Sequence, residues 1–259
     1  MSLLPEEPVS IAKILDASFK LFKTSFKKTV GFGLLLGLLS SVIGLITSLH
    51  VEGLIQPGAI VDGQWAVLMI GLVAIGFSLS FWFYGALIYR IDDIAQGGDA
   101  SFGDALAVGL KKFPVMLFAV VLYSIAVLLG IIALVIPGLI LSLSLFFYAY
   151  FIVLEDQNAY QSLKSSHKLV WKDWWRTAGV FTVPGVIAVI VVIGLGAVAG
   201  FLGGFDADSN MDSWLEAVFN LLSGIFYQYF YVLGYVQYHD LKLRKTGSDL
   251  EARMADMGN

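Results

Sequence analysis

Apolar residues fall in long unbroken blocks rather than in the short steps of a water-facing strand or helix. Six blocks stand out, at 29–49, 65–89, 113–136, 138–154, 177–203 and 214–238, and none contains Lys or Arg. A helix needs about 20 mostly apolar residues to cross about 30 Å of hydrocarbon. Each block reaches or approaches that length, the fourth standing at the short limit. The acid inside a block is Glu216, in the first turn of the sixth. Blocks three and four nearly merge, but a single helix over 113–154 would measure about 63 Å, twice the bilayer. Lys111 and Lys112 precede the pair, and Lys164 and Lys168 follow it. A hairpin turning at Pro137 and Gly138 is therefore predicted, with proline ending one helix and glycine accepting the turn.

Amphipathic segments lead into alternate blocks. Over 9–28, Ile11, Leu15, Phe19, Phe22 and Phe26 share one helical face, and Lys13, Asp16, Lys20, Lys23 and Lys27 share the other. That pattern predicts a helix lying in the headgroup plane. Phe102, Leu106 and Leu110 repeat the pattern before the third block, with Lys111 and Lys112 at the membrane edge. Tyr160, Leu163, His167, Val170 and Trp174 repeat it before the fifth, opposite Gln161, Lys164, Lys168 and Lys172. The predicted fold is all-α and integral to the membrane: six transmembrane helices as three in–out–in hairpins, each preceded by a cytoplasmic interfacial amphipathic helix. The hairpins would be parallel repeats about an axis along the membrane normal. Residues 1–259 are expected to form a single polytopic membrane domain with a cytoplasmic tail at 239–259. Gly33 and Gly37, and Gly196, Gly200 and Gly204, follow the GxxxG spacing that brings helices close in lipid. Pro184 is expected to kink the fifth span.

Charge orients the blocks. All 16 Lys and Arg fall in the N-terminal segment, 90–112, 155–176 and the tail. The loops 50–64 and 204–213 hold none, and carry Glu52, Asp62, Asp206, Asp208 and Asp212. Basic residues accumulate in cytoplasmic loops, so both termini are expected in the cytoplasm. The five lysines spread over the first 28 residues do not match a short cleaved leader. Composition agrees with a bilayer environment: 58% of residues are hydrophobic and 14% charged, against about 45–50% and about 25% in soluble domains. The net charge of −4 does not point to a nucleic acid, and with no cysteine the chain forms no disulfide or thiolate metal site.

The chemical inventory is sparse. Polar groups inside the blocks are mild, chiefly serines with Asn220 and Gln228, the last two expected to bond between helices. His50, His167 and His239 lie far apart. Residues 206–212 place acids or amides at calcium-loop spacing, but Met211 stands where glycine is needed and Ala217 where the bidentate glutamate is needed. Ser166 and His167 are helix neighbours and do not face each other, so they make no nucleophile–base pair. No catalytic, metal or cofactor constellation emerges, and the chain is not expected to be an enzyme. Trp171, Trp174 and Trp175 are expected as interfacial anchors. Lys13, Lys20, Lys27, Lys164, Lys168 and Lys172 are expected against lipid phosphates at about 1 kcal/mol each. Generic positioning of the loops and recognition of a particular anionic lipid both fit this pattern.

Residues 135–175, VIPGLILSLSLFFYAYFIVLEDQNAYQSLKSSHKLVWKDWW, carry a family likeness. A Pro-Gly pair (Pro137, Gly138), a short apolar span, an acidic exit (Glu155, Asp156) and a helix of the Leu163–Ser166–Leu169 type ending near tryptophan resemble a bacterial multi-span inner-membrane family of uncharacterised function. The segment is also similar to the membrane domain that precedes some glycerophosphoryl diester phosphodiesterases. The resemblance implies a multi-pass protein of the bacterial inner membrane. It does not imply phosphodiesterase activity, which belongs to a separate catalytic barrel. The leading expectation is a non-enzymatic protein acting at the lipid interface, in envelope or lipid organisation, with the phospholipid bilayer as partner. A transporter or channel for an uncharged or lipidic substrate is the second, and an accessory subunit, with a protein partner or as a homo-oligomer, the third.

Overall fold

The computed structural model describes residues 3–54, 63–203 and 227–247. They form α1 (Ile11–Leu54), α2 (Gly63–Ala95), α3 (Phe102–Ala133), α4 (Val135–Ser144), α5 (Tyr148–Glu155), α6 (Ala159–Val170) and α7 (Trp174–Gly203), with a 3-10 turn at Trp171–Asp173. Residues 227–247 are a further helix, α8, and no strand occurs among the described residues. Five segments are long and apolar enough to cross a membrane: Ile11–Gly44, Val67–Ala95, Phe102–Ala133, Val135–Glu155 and Ala159–Val191. Of the sixth block, 214–226 lies outside the described residues, as do Glu216, Asn220, Gly204 and the acidic loop 206–212.

Local chemistry sets the helix starts. Ser101 accepts from the Asp104 N–H at 3.1 Å, and Asp104 accepts from the Ser101 N–H at 2.8 Å. This reciprocal pair is a capping box that satisfies two orphan donors of α3. Asn158 begins α6 by accepting from the Gln161 N–H at 2.9 Å.

Burial divides the molecule into two zones. Ile14, Leu21, Leu87, Ile91, Phe147, Tyr150, Leu233 and Leu241 are fully enclosed in one continuous core. It joins the N-terminal half of α1, the C-terminal half of α2, α5, α6 and α8. Elsewhere the helices turn apolar side chains outward: Leu38 and Val42 on α1, Val67 and Ile70 on α2, Phe118 and Ile132 on α3, Ile190 and Ile193 on α7. So much contiguous apolar surface is stable against lipid tails and not against water. The architecture is compatible with a multi-pass membrane protein whose polar-ended head carries the core.

The lead-in helices depart from expectation. α1 continues through 28 and 29, and α3 through 112 and 113, so residues 9–28 and 102–112 are not separate helices. The α1 junction holds no proline, and α3 runs through Pro114 without ending there. α1 has 44 residues, about 66 Å of helix, so one end must project beyond any bilayer it crosses. Its buried face is also not the aromatic one. Ile14, Ser18, Leu21, Ser25, Thr29 and Phe32 are enclosed, and Phe19 is 59% exposed. α8 packs here: the Gln228 side chain donates to the carbonyl of Thr29 on the buried face, and at its edge Phe22 meets Tyr229 edge-on with ring centroids 5.8 Å apart. The hydroxyls of Ser18 and Thr29 return to the Ile14 and Ser25 carbonyls at 2.7 and 3.1 Å. Small side chains with internally satisfied hydroxyls let two helices close together.

The α3–α4 turn also differs. Pro137 and Gly138 do not form it; Leu134, extended at φ −168° and ψ 146°, does. Proline sits in the first turn of α4, where its missing N–H would have had no helical partner. Gly138 instead serves the crossing: a Cβ there would lie 2.8 Å from the Ile131 nitrogen, and one on Gly130 would lie 2.9 Å from the Gly138 Cα.

The tightest α2–α3 approach is at Gly109. A Cβ there would stand 2.7 Å from both the Trp82 carbonyl and the Ala86 nitrogen, and the Trp82 indole donates to the Leu106 carbonyl at 2.8 Å beside it. Gly109→Ala is therefore expected to force the helices apart at a cost of about 1–3 kcal/mol. Gly103→Ala, whose Cβ would meet only Ser101 Oγ at 3.6 Å, is the control. Thermal unfolding in detergent checks the pair, with a lowered midpoint expected for the first variant alone.

Candidate functional site

The fourth apolar block is not one helix. It breaks between α4 and α5 at residues 145–147. A break frees backbone groups, and freed groups at membrane depth must find protein partners. Ser166 on α6 serves two of them, and the Tyr123 hydroxyl donates to a third, the Ser142 carbonyl, at 3.0 Å. The Ser166 hydroxyl accepts from the Phe147 N–H at 3.0 Å and donates to the Ser144 carbonyl at 2.9 Å, and the side chain is wholly buried. The adjacent His167 Nδ1 shares a hydrogen bond of 2.6 Å with Ser144 Oγ. The Trp174 indole donates to the Ile140 carbonyl at 3.1 Å, one turn earlier on α4. Ser166 and His167 do not pair with each other, as helix geometry predicts. Both are aimed across the fold at one discontinuity. Ser144 has no exposed surface, so its contact with His167 offers no reachable nucleophile.

A belt of ion pairs ties the helix ends together. Lys28 meets Asp99 at 2.7 Å, Lys112 meets Asp156, and Lys242 meets Glu155 at 2.7 Å. Tyr235 donates to Asp92 at 2.8 Å. Hydrogen bonding and charge from Lys28 hold the Asp99 carboxyl below its usual range, and Lys112 does the same for Asp156. The deepest member is Asp240 on α8, with no exposed surface. One of its oxygens accepts from Arg176 at 3.2 Å and Arg244 at 2.8 Å, and the other accepts from the Val9 N–H at 2.8 Å. Both guanidiniums also reach the Val9 carbonyl, and His239 bonds to the Pro5 carbonyl at 3.0 Å. Basic residues from α1, α3, α7 and α8 thus meet at one end of the bundle.

Beside the stitched break lies a basic–aromatic surface. Lys164, Lys168 and Lys172 are exposed. Trp171 is 57% and Trp175 84% exposed, whereas Trp174 is half-buried by its bond to α4. Directly C-terminal, α7 shows Val183, Val186, Ile187 and Ile190 outward. Lys13, Lys20 and Lys27 are exposed on α1, with Lys20 paired to Asp16 at 2.7 Å. Gly33 and Gly37 are buried in α1. Gly196 and Gly200 fall within α7. Gln228, expected to bond between helices, does so with α1.

Sequence reasoning missed Ser144, Arg176, Asp240 and the role of Ser166. A signal existed for Ser166: Ala159, Ser162, Ser166 and Leu169 fall on one helical face and are buried together.

The described residues therefore define an all-helical protein with membrane-crossing length and composition, braced at a broken helix. The chain belongs to the family described as a domain of unknown function (DUF7847), whose model matches residues 100–239, more than half of it. The matched region contains the break, Ser166, His167 and the tryptophan cluster. No curated protein and no solved structure matches the chain.

Proposed function

We propose that the protein is a non-enzymatic, multi-pass protein of a bacterial inner membrane that organises anionic lipid at the cytoplasmic face. Its termini lie in the cytoplasm, on the side where basic residues collect. The observation that carries this reading is the surface of Lys164, Lys168, Lys172, Trp171 and Trp175, held rigid by Ser166 and Trp174 against α4. Tryptophan favours the headgroup level, and lysine there attracts anionic lipid. The exposed apolar side chains of α7 begin within three turns of Trp175, which supports a position for the cluster at the rim of the hydrocarbon. Kinship to the membrane domain of some glycerophosphoryl diester phosphodiesterases is part of the same proposal and rests on residues 135–175.

Native mass spectrometry of the purified protein with equimolar phosphatidylglycerol and phosphatidylcholine tests it. At about 1 kcal/mol per lysine near the surface, one contact alone favours the anionic lipid about fivefold. Equal retention of the two lipids would count against headgroup selection.

A second reading, transport of an uncharged or lipidic substrate, draws on the α4–α5 break, because discontinuous helices line many transport sites. Ser166 and Tyr123 bond the freed Phe147 N–H and the Ser144 and Ser142 carbonyls here, which favours a brace over a binding site.

A further inference from the structure

The tip of the α3–α4 hairpin combines two demands that conflict in most surroundings. Its side chains are apolar and exposed: Ile132 71%, Leu134 69%, Val135 62% and Ile136 70%. No polar side chain lies between Ser124 and Ser142. The segments 50–64 and 204–213, between other apolar blocks, differ in sequence, carrying Glu52 and Asp62, and Asp206, Asp208 and Asp212. The tip therefore needs hydrocarbon. Its backbone needs the opposite. Leu134 alone joins the two helices, its N–H returning to the Gly130 carbonyl at 3.0 Å, and no side chain caps α4. The carbonyls of Ile131, Ile132 and Ala133 and the N–H groups of Val135 and Ile136 are helix-end groups without partners in their own helices. In the hydrocarbon centre such groups are not tolerated.

Length resolves the conflict. From Lys112, paired to Asp156 at the polar end, to Leu134 is about 33 Å of helix. Hydrocarbon is about 30 Å thick, and the whole bilayer about 40–45 Å. The tip reaches the far boundary but does not clear the far headgroups.

We infer that residues 131–136 are a lipid-binding surface seated at the glycerol–ester boundary of the far leaflet. Acyl chains there take the isoleucines, and interfacial water takes the backbone groups. The hairpin never emerges as an aqueous loop, and it grips the leaflet opposite the basic–aromatic surface. This rests on the multi-pass reading and not on headgroup selection by the lysines.

The chain has no cysteine, so single-cysteine variants report one position each. Asp62→Cys, Lys245→Cys, Leu134→Cys and Ile132→Cys would be reconstituted into phosphatidylethanolamine–phosphatidylglycerol vesicles and exposed to a membrane-impermeant maleimide on each side. The expected result is labelling of Asp62→Cys from one side and Lys245→Cys from the other. Leu134→Cys and Ile132→Cys are expected to label from neither. A fluorophore attached to Leu134→Cys in detergent, before reconstitution, is then expected to be quenched most by nitroxides high on the acyl chain. Labelling of Leu134→Cys as fast as Asp62→Cys would put the tip in water and overturn the inference. Strongest quenching by nitroxides at the chain ends would also overturn it, because the tip would then stop at the bilayer centre. Labelling of Asp62→Cys and Lys245→Cys from the same side would remove the span arrangement on which the inference rests, a distinguishable failure.

Discussion

Asp240→Ala is expected to destabilise the protein by about 3 kcal/mol and to release the N-terminal segment. Removing one member of a buried ion pair leaves its partner charged and unpaired, at about 3–5 kcal/mol when burial is complete. Here two guanidiniums depend on one carboxylate. Arg176 and Arg244 keep 20% and 28% of their side-chain surface, so water reaches them and the lower end applies. The Val9 N–H loses its acceptor as well. Arg176 and Arg244, which also donate to the Val9 carbonyl, lose the carboxylate that positions them, so the contacts over residues 3–10 should open locally before the bundle unfolds. Thermal unfolding in detergent and limited proteolysis read the two effects separately. A shift below about 1 kcal/mol with an uncleaved N-terminus would show that the belt is a surface ornament.

Ser166→Ala is expected to cost about 2–4 kcal/mol although it removes a single oxygen. Each buried polar group left without a partner costs about 1–3 kcal/mol, and this change orphans two, the Phe147 N–H and the Ser144 carbonyl. His167→Ala should cost about 1 kcal/mol, since the freed Ser144 hydroxyl can turn back to its own helix. The order of the two variants is the informative result, and a larger loss for His167→Ala would contradict the role given to Ser166.

The spans were legible because block length is a property of sequence alone. Five of the six apolar blocks reappear as α1, α2, α3, the α4–α5 pair and α7, and of the sixth only 227–238 is described, as the start of α8. The packing was not. Ser18, Ser25 and Thr29 belong to neither face predicted for α1, yet they are its buried side, because hydroxyls bonded to their own helix behave as small packing groups. The aromatic side of α1 drew attention instead, and Phe19 stands exposed. The break at 145–147 had no local signal, since Leu145, Phe146 and Phe147 suit a continuing helix. It exists because Ser166, distant in sequence, offers the freed groups a better partner. The proline at 137 misled in the other direction, beginning a helix where it was expected to end one. Lys164, Lys168 and Lys172 are exposed, since charge next to water needs no tertiary partner.

The measurement closest to the central claim is competitive lipid retention by the triple variant Lys164→Gln, Lys168→Gln, Lys172→Gln, compared with the unmodified protein at equal thermal midpoint. These lysines are exposed and make no ion pair in the belt, so the fold should survive their neutralisation. The account predicts that the preference for phosphatidylglycerol over phosphatidylcholine collapses while total lipid bound is unchanged. An unchanged preference would contradict it, and would move the function of this surface away from the headgroups.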